Sequence, residues 1–209
     1  MTKIDFKKEL KYLYSPSKKE VIVVDVPVMN FLMVDGEGNP NNSAQFQDAI
    51  DALYNISFTI KMLPKKGIVP QGYFEYVVPP LEALWWTDEI NNFNMENKNS
   101  WKWTLMIMQP EFVTKNLVEE TIVTLKKKKQ NPALSKVRFA TFDEGLSAQI
   151  LYIGPYSEEA PTIKKIHDFI EEHGYKSNGK HHEIYLSDPR RTAPEKLKTI
   201  LRQPIKPKN

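Results

Sequence analysis

The chain has 209 residues, of which 41% are hydrophobic and 11% aromatic, enough for one ordinary domain with a sizeable core and too apolar for wholesale disorder. Cysteine is absent, which excludes a disulfide framework, a cysteine nucleophile and any cysteine-bound zinc or iron–sulfur centre. The net charge is +3, no apolar run approaches the roughly 18 residues of a membrane span, and the amino terminus lacks an apolar signal core; a cytoplasmic protein without a membrane partner is expected.

Residues 1–19 read as an amphipathic lead-in, with Phe6, Leu10 and Leu13 on one helical face. Val-rich strands follow at 21–26 and 31–35, split by Pro27, and GEGNP at 36–40 is turn chemistry. Asn42 or Ser43 caps a helix that places Phe46, Ala49, Ile50, Leu53 and Ile60 on one side, and PKKG at 64–67 ends it. Residues 73–78 and 81–87 read as extended, and 91–99, with five Asn in nine residues, as a loop. The strand at 101–108 alternates Trp101, Trp103, Leu105 and Ile107 on one face. Thr114 opens a helix with Leu117, Val118, Thr121, Ile122 and Leu125 inward; the Lys run at 126–129 suits its negative end.

The pattern then restarts. Residues 137–143 and 147–153 read as a hairpin through Glu144 and Gly145, and Ser157 caps a helix with Glu158 and Glu159 in its first turn and an apolar stripe of Ile163, Ile166 and Ile170. Gly174 stops that helix, 182–186 is a short strand, and TAPE at 192–195 has capping-box spacing, which predicts a last helix over 194–201. Seven basic residues (Arg190, Arg191, Lys196, Lys198, Arg202, Lys206 and Lys208) follow Pro189 against the single acid Glu195. Such a strip is most often solvated surface, and a nucleic-acid partner is not expected.

FLMVDGEG, a helix and YFEYVV in the first half match ILYIGPYS, a helix and HHEIYL in the second. This internal repeat predicts an α+β fold of tandem duplicated strand–helix–strand–strand modules, related by a pseudo-two-fold axis, with a central ligand cleft. The expected organisation is a lead-in over 1–19 and a single domain over 20–205. Its first module covers about 20–110, a linking helix about 114–129 and the second module about 136–205.

Three stretches carry a family resemblance: PLEALWW at 80–86, WKWTLMIMQPEFV at 101–113 and HHEIYLSDPRRTAPEKLKTILRQP at 181–204. Together they resemble the GyrI-like domain, found alone and as the effector-binding part of MerR- and AraC-type regulators. The resemblance covers about 20–205 and is nearest to the stand-alone branch. It implies a pocket for bulky hydrophobic, aromatic or cationic small molecules, lined by aromatics and holding a buried acid. It also implies that some stand-alone members are hydrolases that open the strained ring of cyclopropanoid DNA-alkylating compounds.

Glu183 is the candidate acid. It sits mid-strand in HHEIYL, flanked by Ile184 and Leu186, where an unpaired carboxylate is costly. Composition alone favours a salt-bridged carboxylate at a sheet edge by about two to one; the family match to EIYLSDP reverses that order. Alternation puts His181, Glu183 and Tyr185 on one face and, in the first module, Tyr73, Glu75 and Val77. Glu75 is a second candidate acid, with a solvated strand residue as the safer reading. Trp85, Trp86, Trp101 and Trp103 fall within nineteen residues, and with Tyr152 and Tyr185 they offer π-faces to planar or cationic ligands, although any single Trp is more often core. In the catalytic reading Glu183 takes a proton from water while Tyr152 or Tyr185 donates to the oxygen that gains charge. His167 and His173 diverge by roughly 240° on their helix, and HHE on a strand is no zinc helix; no metal and no cofactor is expected. Phosphate-loop, dinucleotide and serine-nucleophile motifs are missing from the sequence. The competing readings are a non-catalytic sequestering module and a regulator acting by protein contact, the latter supported only by the basic carboxyl tail.

Overall fold

The computed structural model describes residues 3–88 and 98–208. In chain order the elements are α1 (Phe6–Glu9), α2 (Lys11–Tyr14), β1 (Ile22–Val26), β2 (Met29–Glu37), α3 (Ala44–Lys61), β3 (Leu81–Trp86), β4 (Lys102–Gln109), α4 (Lys115–Lys126), β5 (Arg138–Phe142), β6 (Gly145–Ile153), α5 (Ala160–Glu172), β7 (Tyr175–Ser177), β8 (His181–Tyr185) and β9 (Lys198–Pro207). The expected Asn-rich loop at 91–99 lies outside the described residues except for its last two positions, which open a single 3-10 turn, Lys98–Ser100. The architecture is the expected α+β fold, with a strand–helix–strand–strand order that recurs, and the chain forms two compact units that interleave along the sequence.

The first unit comprises Met1–Glu9, Met29–Pro79 and Trp86–Phe142. Its antiparallel strands run β4-β2-β5, with Met33 opposite Met106 on one side and Leu32 opposite Phe139 on the other. The α3 helix begins where the Ser43 side chain accepts the Phe46 N–H at 3.2 Å. It buries Phe46, Ala49, Leu53, Ile56 and Ile60, the spacing of one helical face. Phe46 meets the Trp103 ring edge-to-face at 5.1 Å. Gly36, directly opposite Trp103 in the ladder, is there because that ring occupies the space any Cβ would need. Thr114 caps α4 by accepting from the Leu117 N–H, and α4 packs on α3.

The second unit comprises Leu10–Val28, Pro80–Trp85 and Asp143–Asn209. Its antiparallel order is β1-β6-β9-β8-β3, and β7 pairs with the far end of β9. On one face α5 lays Ile166 and Ile170 against Ala148, Ile150, Leu201 and Ile205. The leading strands have changed places: β1 pairs with β6, not with β2, and β5 pairs with β2, not with β6. The expected hairpin through Glu144 and Gly145 therefore does not form, because the boundary between the units falls between Phe142 and Asp143.

Three further expectations are corrected. The predicted helix over 194–201 is one 3-10 turn, Pro194–Lys196, followed by β9. β9 is paired with β6 and β8 on its two sides and buried from Thr199 to Ile205; burial on both faces erases the alternation by which a strand is recognised. Among the described residues, the predicted strand at 73–78 keeps a single bridge, Tyr76 to Ile4, and its aromatics instead pack edge-to-face around Phe112. Ser157 lies in a 3-10 turn, Tyr156–Glu158, and α5 starts after Glu159 without a side-chain cap.

Candidate functional site

Strand alternation and pairing place Glu183 and Tyr185 on the face that carries α5. Ala83 and Leu201 are its ladder partners on the two sides, and Tyr185 lies in the next row with Leu81 and Thr199. Glu183 is buried, at 7% exposure. The Tyr185 hydroxyl donates to its Oε2 at 2.7 Å, and the Trp85 indole N–H donates in turn to the Tyr185 oxygen at 3.2 Å. His181 Nε2 stands 3.6 Å from the other carboxylate oxygen, Oε1, too far for a good hydrogen bond. Tyr156 meets the Tyr185 ring edge-on at 5.7 Å. Burial, reinforced by the Glu183 charge, raises the Tyr185 pKa well above its ordinary value, so this hydroxyl is a fixed donor. It holds one carboxylate oxygen in place.

Tyr152 shares the face, in a row with Thr199 and Tyr185. Its hydroxyl donates to the Pro155 carbonyl at 2.9 Å, and its ring lies where a Cβ on Gly154 would sit. The Tyr152 and Tyr185 hydroxyl protons are thus both in use within the fold. Thr199 is fully buried between the two tyrosines, and its hydroxyl has no hydrogen-bond partner among the described residues. His167 is exposed on α5, and partial desolvation followed by repulsion from His181 lowers its pKa.

The other candidates belong to the first unit. Trp103 is wholly buried against Phe46 and Gly36 as core. Trp101 is 7% exposed, with the Lys98 ammonium 5.4 Å from its ring, and Trp86 is half-buried at the end of β3. Tyr73 donates to the Lys61 carbonyl at 3.2 Å. Glu75 is exposed, and its carbonyl accepts from the Ile4 N–H. The acid that its repeat position suggested is therefore a solvated one.

Sequence reasoning missed an ionic set on the opposite face of the second unit's sheet. His182 is 1% exposed, with Nδ1 2.7 Å from Glu144 Oε1 and Nε2 3.0 Å from Glu82 Oε2. Arg202, also 1% exposed, donates from Nη1 to Glu144 at 2.9 Å, from Nε to Gln149 at 2.9 Å and from Nη2 to the Leu13 carbonyl at 3.2 Å. Tyr14 donates to Glu82 at 3.1 Å, and Gln149 donates to the Tyr12 carbonyl at 2.9 Å. Burial alone would raise the Glu144 pKa, but the His182 and Arg202 charges and hydrogen bonds overcome it and hold the group at about 2. For His182 burial pulls down, and Glu144 and Glu82 outweigh it to reach about 9. Arg202, counted in the sequence as part of a solvated basic tail, is internal.

Residues 19–206 match the model of the GyrI-like small molecule binding domain. The chain belongs to the GyrI-like family. An uncharacterized conserved protein from Listeria innocua is 44% identical to this GyrI-like chain, with a TM-score of 0.91 over 98% of this chain and 100% of that one. Two hydrolases from the same organism are 43% and 42% identical, with TM-scores of 0.87 and 0.89 and the same coverage. No curated protein matches the chain.

Among the described residues, no helix is long and apolar enough to cross a membrane, and no group of His, Asp and Glu is arranged to hold a metal ion. A groove of about 500 Å³ in the second unit is lined by Lys19, Glu20, Val21, Lys165, Asp168 and Glu172 with Phe169; Glu183 does not line it. The only sequence signals for the missed ionic set were Glu82 inside LEALWW and Arg202 inside TILRQP, charges within apolar runs. Their partners come from distant segments, so pairing alone reveals them.

Proposed function

We propose that this GyrI-like protein binds hydrophobic, aromatic small molecules at the Glu183 face and hydrolyses cyclopropanoid DNA-alkylating compounds there. The observation that carries the reading is the buried Glu183 carboxylate, anchored through one oxygen by Tyr185, which Trp85 holds in turn, with its second oxygen facing His181. The extensive similarity to two hydrolases supports it.

In this mechanism Glu183 Oε1 takes a proton from water as the water oxygen bonds to the cyclopropane carbon. The strained carbon–carbon bond breaks, and its electron pair moves to the conjugated carbonyl oxygen of the substrate. That oxygen then takes up the proton, so the product is substrate plus one water and Glu183 is regenerated. Tyr185 orients the base, and Trp85 orients Tyr185. The Tyr156 ring beside them offers an apolar surface to a planar substrate.

The test is incubation with a cyclopropanoid DNA-alkylating compound in substrate excess, followed by liquid chromatography–mass spectrometry. Repeated turnover to a water adduct is expected. Glu183→Gln, which keeps the shape and removes the base, should abolish turnover while leaving affinity within about threefold. Unaltered compound that co-purifies with the protein would instead make the site a sequestering one, with Glu183 as partner to a cationic ligand.

A further inference from the structure

The ionic set behind β8 touches the strands at chosen points. His182 adjoins Glu183 in β8, Glu82 adjoins Ala83 in β3, and Arg202 adjoins Leu201 in β9. Ala83, Glu183 and Leu201 form one cross-strand row. Each strand of that row is therefore gripped from behind at the residue next to the one that carries, or flanks, the candidate base. Both ring nitrogens of His182 face carboxylates, at 2.7 and 3.0 Å. Only the imidazolium donates from both; a neutral ring would set a lone pair against a carboxylate. Two cations thus balance two carboxylates in a buried space.

An apolar core would usually serve stability as well as such a set, whose best-attested use is to specify a single arrangement. The same groups also hold a strap. Tyr14 reaches Glu82, Arg202 reaches the Leu13 carbonyl, and Gln149 reaches the Tyr12 carbonyl. The groups that face His182 and its partners come from β3 (Glu82), the turn before β6 (Glu144), β9 (Arg202), β6 (Gln149) and α2 (Tyr14).

We infer that His182, with Glu82, Glu144, Arg202 and Tyr14, is a positioning set: it locks the β3–β8–β9 register, with residues 10–14 strapped across its back, so that Glu183, Tyr185 and Trp85 keep their alignment on the front. The role of Glu183 rests on the function proposed above, and the test reads alignment separately from turnover.

The readout is the Trp85 indole N–H, which donates to Tyr185, observed by nitrogen-15 NMR of the full chain and assigned by its loss in Trp85→Phe. In the wild-type protein this resonance should shift with a midpoint of about 9 as His182 loses its proton. His182→Gln should displace the resonance and abolish the transition, while the Trp103 indole of the first unit stays in place. Tyr14→Phe, which removes one hydroxyl from the strap, should displace it by a smaller amount; that variant decides the matter if His182→Gln does not fold. Glu183→Gln should keep the transition near 9, which separates the set from the base. With the cyclopropanoid compound, His182→Gln should lower kcat by tenfold or more, on the order expected for a displaced base, with KM within about threefold.

An indole transition without any wild-type turnover leaves the positioning set standing and removes the hydrolase. A Trp85 resonance that ignores pH in the wild type, and ignores both His182→Gln and Tyr14→Phe, overturns the positioning set whatever the turnover.

Discussion

Glu183 and His182 are neighbours in one strand, yet their surroundings differ in kind. Glu183 has a neutral donor on one oxygen, whereas His182 sits between two carboxylates. The sequence singled out Glu183 because a charge flanked by apolar residues is costly. The same argument applies to Glu82 and Arg202, which it passed over because each has neighbours that read as ordinary strand or helix. Thr199 is a third buried polar residue, and it differs from both in having no partner for its hydroxyl among the described residues. An unpaired buried hydroxyl costs about 1–3 kcal/mol. Thr199→Val keeps the branched shape and removes that cost, so it should raise the unfolding midpoint, by about 1 kcal/mol of added stability, with turnover unchanged. Thermal denaturation followed by circular dichroism gives the first quantity. A fall in turnover without a loss of stability would mean that the hydroxyl serves the ligand.

At the scale of elements, the helices and most strands were legible because each buries one face. The caps at Ser43 and Thr114 and the stripes of α3, α4 and α5 are local features. What was not legible was which strands pair. β1 joins β6 and β5 joins β2, and nothing within residues 21–26 or 138–142 encodes that exchange. β9 was lost for another reason: TAPE supplies a helix-start signal, and the strand after it is buried on both sides. This changes how the basic tail must be treated. Removing the chain from Arg202 onward would leave a solvated stub if the tail were a surface helix. In the observed fold it deletes the half of β9 that pairs Gln149, Ala148 and Ser147 and that pairs with β7. It also strips Glu144 of its guanidinium. Losing one partner of a buried pair costs about 3–5 kcal/mol, a large fraction of the roughly 5–15 kcal/mol that holds a domain folded, and the lost strand pairing adds to it. The truncated protein should therefore lack a cooperative thermal transition, and retention of a sharp one would contradict the central placement of β9.

For the whole molecule, net charge describes little, because much of the charge that governs stability is internal. The pH dependence near neutrality follows from two groups of the buried ionic set, His182 and Glu144. His182 titrates at about 9 in the fold against 6.5 as an isolated side chain. Its contribution is fully present below 6.5 and is lost as pH rises towards 9, since in that interval the folded state holds a proton that the unfolded chain has released. Glu144 behaves in the opposite sense: its contribution is present above 4.5 and lost as pH falls towards 2. Each shift corresponds to something on the order of 3 kcal/mol, and the two do not add, because the His182–Glu144 contact enters both. The contribution of this pair should thus be flat between 4.5 and 6.5 and decline on the alkaline side. Unfolding midpoints measured from about pH 4 to about pH 9.5, a span that brackets the range in which an unperturbed histidine titrates, give the curve. His182→Gln removes the titrating ring, so its curve should start lower and run flat where the wild type falls. A wild-type midpoint that holds level through pH 9 would show that the buried ring is not an imidazolium, and the balanced pairing of two cations with two carboxylates would fail with it.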